Sequence, residues 1–490
     1  GQWAIINGNQ TNITSHDLLL KGGKESIGEA DKPLTVALDG DLTEAQADKS
    51  VYIKNMKQDD VLTLGAMYAG DTISLESNMG FKMVQADPED IPESYINAGK
   101  NLVFTTNETT GIVGEADNPI RILNDRAVVD ITAYDAYIQG VGSISQGIQN
   151  GTLKLGTINT TGEFTATSDG SLAVVGHEEE KDSDGNVVKP AVEGKITAGG
   201  NTTLAAADSV TMDGTVTVGN LDSGDTANPK TLTLKAVDGN ITQTDKGAIT
   251  ADTVKTFNGK SLLLKNEKNE FNNITVDGIE TESGKAIDGD VRIVDNSDAL
   301  TVAVKREVTG DISVENLRAN GALTNKRNLT ATRNIDLKAK GNLTQAANTT
   351  LTAGKAVTLT STDAAITQNA TAGIQAPKVT TASARSVDLK GAGNQFDAIA
   401  VESANADAPI QGNVSVLDSA DKLQLSIRPV VNGNIIVENK KAKGVLQAVP
   451  DIEAKSDGTA DSGSITLKSD GSLQTDCKLT AADDVNLTST

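Results

Sequence analysis

The fold is decided by the stretch Leu329-Thr330-Ala331, Asn334-Ile335-Asp336-Leu337, Leu343-Thr344-Gln345, followed by Leu351-Thr352-Ala353, Ala356-Val357-Thr358-Leu359 and Ile366-Thr367-Gln368. Within each run apolar and polar residues alternate with period two, and Gly, Asn or Asp closes the run, which is the pattern of short half-buried strands joined by turns. The second set of three runs echoes the first at spacings of 22, 22 and 23 residues. Near the end of the chain, Ile465-Thr466-Leu467 returns as Val485-Asn486-Leu487 after 20. A repeat of this length holding two or three short strands is one coil of a parallel β-helix. A single coil cannot bury its inner face, so neighbouring coils supply both the hydrogen bonds and the core.

Composition agrees with a narrow repetitive core. The chain has 490 residues, and 37% are hydrophobic while only 2% are aromatic. A large globular core leans on aromatic rings for its buried area, whereas a column one or two side chains wide can be filled by Val, Ile, Leu and Ala. Helical periodicity over twelve or more residues is missing. The fixed Leu-x-x-Leu-x-Leu frame of leucine-rich repeats and the Gly-Gly-x-Gly-x-Asp calcium repeat are missing as well. The reading is therefore all-β: a single right-handed parallel β-helix over 1–490, with roughly 20–22 coils and a length on the order of 100 Å at the inter-strand spacing.

A longer duplication lies over the coil repeat. Ile241-Thr242-Gln243, Ser261-Leu262-Leu263-Leu264-Lys265, Asn269-Glu270-Phe271 and Ile274-Thr275-Val276 recur 125 positions on as Ile366-Thr367-Gln368, Ser386-Val387-Asp388-Leu389-Lys390, Asn394-Gln395-Phe396 and Ile399-Ala400-Val401. The offset falls to 123 by Gly310-Asp311-Ile312 against Gly433-Asn434-Ile435, so two residues were lost in the loop between Asp277 and Ala286. The expected subdivision is 1–237 with insertions, a first long repeat over 238–362, and a second over 363–490 with the terminal coils. A spacing of about six coils puts Phe271 and Phe396 about 28 Å apart, too far to stack. In the first third, Ile27-Gly28-Glu29-Ala30-Asp31-Lys32-Pro33 returns as Val113-Gly114-Glu115-Ala116-Asp117-Asn118-Pro119, each followed by a Tyr-Ile step at Tyr52-Ile53 and Tyr137-Ile138. Gly for positive φ, Asp for a turn and Pro for a fixed φ make this a corner.

The Gly-Glu-Ala-Asp-x-Pro corner, the Ile-Thr-Gln steps and the Asn-x-Phe segments resemble the filamentous haemagglutinin type of large bacterial adhesin, closest to the leukotoxin-like filamentous adhesins. That resemblance covers most of the chain. It implies a right-handed β-helix shaft, exported by a type V route and displayed at the outer membrane or secreted. It also implies a receptor on a host or neighbouring bacterial cell, protein or glycan. A leukotoxin-type cytotoxin segment is the alternative, and a polysaccharide-cleaving β-helix enzyme the third reading.

Charge and rare residues narrow the chemistry. With 43 basic and 66 acidic residues the net charge is −23, which opposes phosphate backbones and anionic membrane surfaces, so nucleic acid is not an expected partner. No run of eighteen apolar residues could span a membrane. The opening Gly1-Gln2-Trp3-Ala4-Ile5-Ile6 is not a signal peptide, and both ends read as cuts through a longer protein. The single cysteine, Cys477, excludes an internal disulfide and a thiolate zinc site. His16 and His177 are read as surface residues outside any ligand pattern. Without a histidine dyad, a Ser-His-Asp set or a carboxylate pair in a cleft, no catalytic residues and no cofactor are expected. The Thr-x-Thr steps, such as Thr358-Leu359-Thr360, are too irregular for a crystal-binding lattice.

Two stretches break the repeat. Residues 84–94 carry Pro88 and Pro92 and read as a loop. Residues 177–194 read as a hairpin turned at Asp184-Gly185, with Glu178, Glu179, Asp184, Gly185 and Asn186 as a protruding contact surface. The competing reading is a calcium loop with Glu180, Asp182 and Asp184 as ligands, but the twelfth position is Ala191 rather than an acidic residue.

Overall fold

A computed structural model describes residues 13–85, 94–143, 146–219, 228–279, 284–405, 408–459 and 462–490. Among the described residues there are strands and turns but no helix. The strands stack in parallel ladders as a β-solenoid of about 20 turns. The chain falls into two compact units, Gly1–Lys255 and Thr256–Thr490.

In the first unit one ladder runs through Ile13–Ser15, Leu34–Leu38, Val51–Asn55, Thr72–Glu76, Asn101–Thr105, Val128–Ala133, Thr152–Thr160, Lys195–Ala198 and Thr215–Val218. The turns here are uneven. Ile73 meets Leu102, 29 positions on, and that turn contains the 84–94 loop. Thr157 meets Lys195, 38 positions on, and that turn contains the 177–194 segment. Insertions are absorbed between strands because the ladder fixes the strands themselves. Most of the 84–94 loop, residues 86–93, lies outside the described residues.

In the second unit the sequence echoes are register partners. Leu329↔Leu351, Ile335↔Val357, Leu343↔Ile366 and Ile465↔Val485 all pair as the repeat requires. One inward column reads Leu343, Ile366, Val387, Val414, Ile435 and Ile465 on consecutive turns, every member buried. Each buried Leu, Ile or Val side chain contributes roughly 1.5–3 kcal/mol relative to exposure, and the column repeats that gain turn by turn. The duplicated blocks fold alike: Leu262–Leu264 and Val387–Leu389, Glu270–Asp277 and Gln395–Glu402, Ile312–Asn316 and Ile435–Asn439.

The core is more aromatic than an aliphatic column predicts. Five of the six phenylalanines, Phe81, Phe104, Phe164, Phe271 and Phe396, are fully buried. Phe81 and Phe104 pack with ring centroids 5.5 Å apart and planes at 55°. Phe271 and Phe396 make no ring contact with each other, as their wide spacing in the repeat requires. A buried carboxylate anchors each of these two rings. Asp295 Oδ1 accepts the Phe271 amide at 2.9 Å, and Asp418 Oδ1 accepts the Phe396 amide at 3.1 Å. In the same corners Asn269 donates to the Val294 carbonyl and Asn394 to the Leu417 carbonyl. Burial raises both aspartates above the ordinary carboxylate range, Asp418 to about 6, against the pull of their backbone donors.

The paired corners of the first unit are equivalent in space. Glu29 and Lys32 exchange both backbone hydrogen bonds, and so do Glu115 and Asn118. Gly28 (φ +70°) and Gly114 (φ +76°) stand against the carbonyls of Tyr52 and Tyr137, where a Cβ would sit 2.5 and 2.2 Å from the oxygen. The Tyr-Ile step thus recurs with the corner because its backbone is the surface onto which the glycine closes.

Candidate functional site

The 177–194 segment is a hairpin. Glu180–Lys181 pairs antiparallel with Val187–Lys189, and His177 bridges to Val192 through N–H···O contacts of 2.8 and 3.0 Å. Every residue from Glu178 to Glu193 is exposed. At its base, Gly176 and Gly194 let the arms close. A Cβ on Gly176 would lie 1.9 Å from the Val192 carbonyl, and one on Gly194 would lie 2.4 Å from that of Val175.

The turn spans Asp182 to Asn186, and Asp182 rather than Asp184 organises it. The Asp182 amide donates to the Asn186 carbonyl, and its Oδ1 accepts the amides of Asp184 and Asn186, each at 2.9 Å. Its Oδ2 accepts the Asn186 side chain at 3.1 Å, and these bonds, the Asn186 side chain first, hold its carboxyl below the usual range. Gly185, at φ +84°, makes the left-handed step of the turn. Glu179 pairs with Lys181 at 2.9 Å and Glu180 with Lys189 at 3.4 Å. The acids named for a calcium loop are therefore drawn to different partners: Asp182 to its own turn and Glu180 across the hairpin. Among the described residues no three His, Cys, Asp or Glu side chains converge as a metal site. Glu178, Asp184, Gly185 and Asn186 remain on the solvent face of the hairpin tip and arm.

His177 corrects the sequence reading. Its side chain is only 12% exposed, and Nε2 lies 2.8 and 3.0 Å from the two oxygens of Asp130. Asp130 Oδ1 also accepts the Thr157 amide at 2.7 Å. The pair ties the hairpin base to the strand Val128–Ala133, 47 residues away in sequence, and no local pattern marks such a contact. His16 is exposed as expected. Cys477 is half-buried, free and displaced upward by burial and by Asp451 and Asp476, so its thiol is protonated at neutral pH.

One further surface gathers polar side chains around an exposed ring. The outward positions Gln46, Tyr68 and Asn97 are register neighbours on Asp41–Ala47, Leu62–Ala69 and Ile96–Ala98. They line an open groove of about 540 Å³ together with Tyr95. The alternation rule marks Gln46 and Tyr68 as outward, but only the ladder places them beside Asn97. No helix of the described residues is long and apolar enough to cross a membrane. No protein family, curated protein or solved structure matches the chain.

Proposed function

We propose that this chain is a non-enzymatic adhesin shaft of the filamentous haemagglutinin type, displayed at a bacterial cell surface or secreted. In this reading the stacked coils present a contact surface to a receptor on a host or neighbouring cell. The observation that carries it is the hairpin: sixteen consecutive exposed residues, Glu178–Glu193, project from a turn that the ladder does not need. A stack of short parallel ladders is stiff because each strand is held on both sides, so an exposed hairpin pinned at its base by His177–Asp130 is presented rather than merely tolerated. The acidic balance suits an extracellular protein that stays soluble and resists nonspecific adsorption to anionic membranes.

The test is attachment of the purified chain to epithelial and bacterial cells, beside a chain in which 178–193 is replaced by a short Gly-Ser link. Attachment that falls on shortening the hairpin supports the reading. A leukocyte viability assay on the same samples addresses the cytotoxin alternative, and killing without sustained attachment would sink the adhesin reading.

A further inference from the structure

We propose that the groove built on Gln46, Tyr68 and Asn97 is a binding site for a neutral glycan, one or two sugar residues deep. This goes beyond the hairpin reading and stands on different residues. The three side chains lie side by side on the outer face of three strands adjacent in the ladder, Gln46 against Tyr68 and Tyr68 against Asn97. Tyr68 is 41% exposed, a large ring left in solvent in a chain that has only five tyrosines, and a second tyrosine, Tyr95, lines the same groove. Asn97 is 7% exposed and borders the groove, in register beside the Tyr68 ring.

The ligand class follows from the lining. Gln46, Asn97 and Gln146 each offer an N–H donor beside a carbonyl acceptor, the match for vicinal hydroxyls. A tyrosine ring supplies an apolar face with a polar rim, which suits the C–H face of a pyranose. Among the described residues, the only charged one lining the groove is Glu44, which reaches Lys21 at 3.7 Å. Because the described lining residues include an acid and no cation, the site disfavours phosphate, sulfate or carboxylate ligands. A peptide strand is a poor fit as well, because Thr63, Leu64 and Met67–Ala69 are held in ladders on both sides. Next to Glu44 in register stands Ala66, whose small side chain leaves room beside the Tyr68 ring.

The experiment uses the full chain on an array of immobilised neutral di- to tetrasaccharides built from galactose, glucose, N-acetylglucosamine and fucose. Hits are followed by saturation-transfer NMR with the free oligosaccharide. An open site with few contacts predicts a Kd on the order of 0.1–1 mM. Tyr68→Ala and Gln46→Ala change exposed side chains and leave the ladder intact, so thermal melting of both should match the parent. Each should weaken binding, Tyr68→Ala by roughly tenfold or more. Asn97→Ala should abolish the signal, and the chain with the shortened hairpin should bind as the parent does. The proposal is overturned if no neutral glycan is retained at millimolar concentration. It is also overturned if retention survives Tyr68→Ala and Gln46→Ala unchanged, or if retention is lost with the hairpin.

Discussion

Asp418→Asn should remove a pH-dependent weakness from the second unit. The carboxylate is buried, its Oδ1 accepts the Phe396 amide and its Oδ2 accepts the Ala420 amide at 2.7 Å, and its pKa is raised from 3.8 to about 6, chiefly by burial. The folded state therefore binds the proton more tightly than the unfolded chain. Stability is greatest below the unfolded value near 3.8 and falls as pH rises through about 6. A displacement of about two units at 1.36 kcal/mol each makes the loss about 3 kcal/mol, complete by pH 7. Asparagine keeps the acceptor for Phe396 but turns an N–H towards the Ala420 amide, which costs about 1 kcal/mol at every pH. The variant should thus be slightly weaker than the parent at pH 4 and about 2 kcal/mol stronger at pH 7. Carboxylates held low, such as Asp277 beside Lys305, lose their contribution as pH falls towards 4 and below, equally in both proteins, so they cancel in the comparison. Urea unfolding of both proteins at half-unit steps from pH 4 to 7 provides the comparison. Parallel stability profiles across that range would falsify the assignment of the buried charge.

Three further outcomes follow from the packing. Thr381 lies inside the core between Leu359 and Val401 with its hydroxyl unpaired, so Thr381→Val should raise stability by about 1 kcal/mol in a thermal melt. Its counterpart Thr256 donates to Asn258 at 3.1 Å, and Thr256→Val should instead cost about 1 kcal/mol; equal effects at the two sites would count against the argument. Gly114→Ala places a methyl 2.2 Å from the Tyr137 carbonyl at positive φ and should cost more than Gly23→Ala, which has positive φ but open space and should lose only about 1–2 kcal/mol. Asp130→Ala should speed hydrogen exchange at His177, Val192 and Thr157 while leaving the column from Leu343 to Ile465 protected, and unchanged exchange at the hairpin base would show that the His177–Asp130 hydrogen bond does not hold it.

Much of the ladder was legible because a solenoid pairs each strand with its own echo. The register Ile335↔Val357 is the 22-residue spacing seen from the side, and no long-range guess is needed to find it. The hairpin was legible for a similar reason: Asp184-Gly185 and two polar arms interrupt the repeat, and an interruption that the ladder cannot use must leave it. The organising carboxylate, however, was Asp182, since the choice among three nearby acids depends on which one reaches the Asn186 amide. Phenylalanine was undervalued because its low frequency says nothing about where each ring goes. Asn269-x-Phe271 and Asn394-x-Phe396 were visible as repeated segments, but Asp295 and Asp418, which complete them, come from the following turns.

What the sequence determined by itself is the class of structure and its period, because alternation and spacing are properties of the chain that every turn restates. It also located the corners and insertions, because Gly, Pro and runs of acids act on the local backbone. Tertiary structure alone decided which outward side chains share a surface. Tyr68 and Asn97 are separated by two strands, Thr72–Glu76 and Gly80–Met83, and an insertion, yet stand in register. His177 and Asp130 meet across 47 residues. An outward position in a strand is free to be almost anything as far as local folding is concerned, so its partners are set only when one turn is laid on the next.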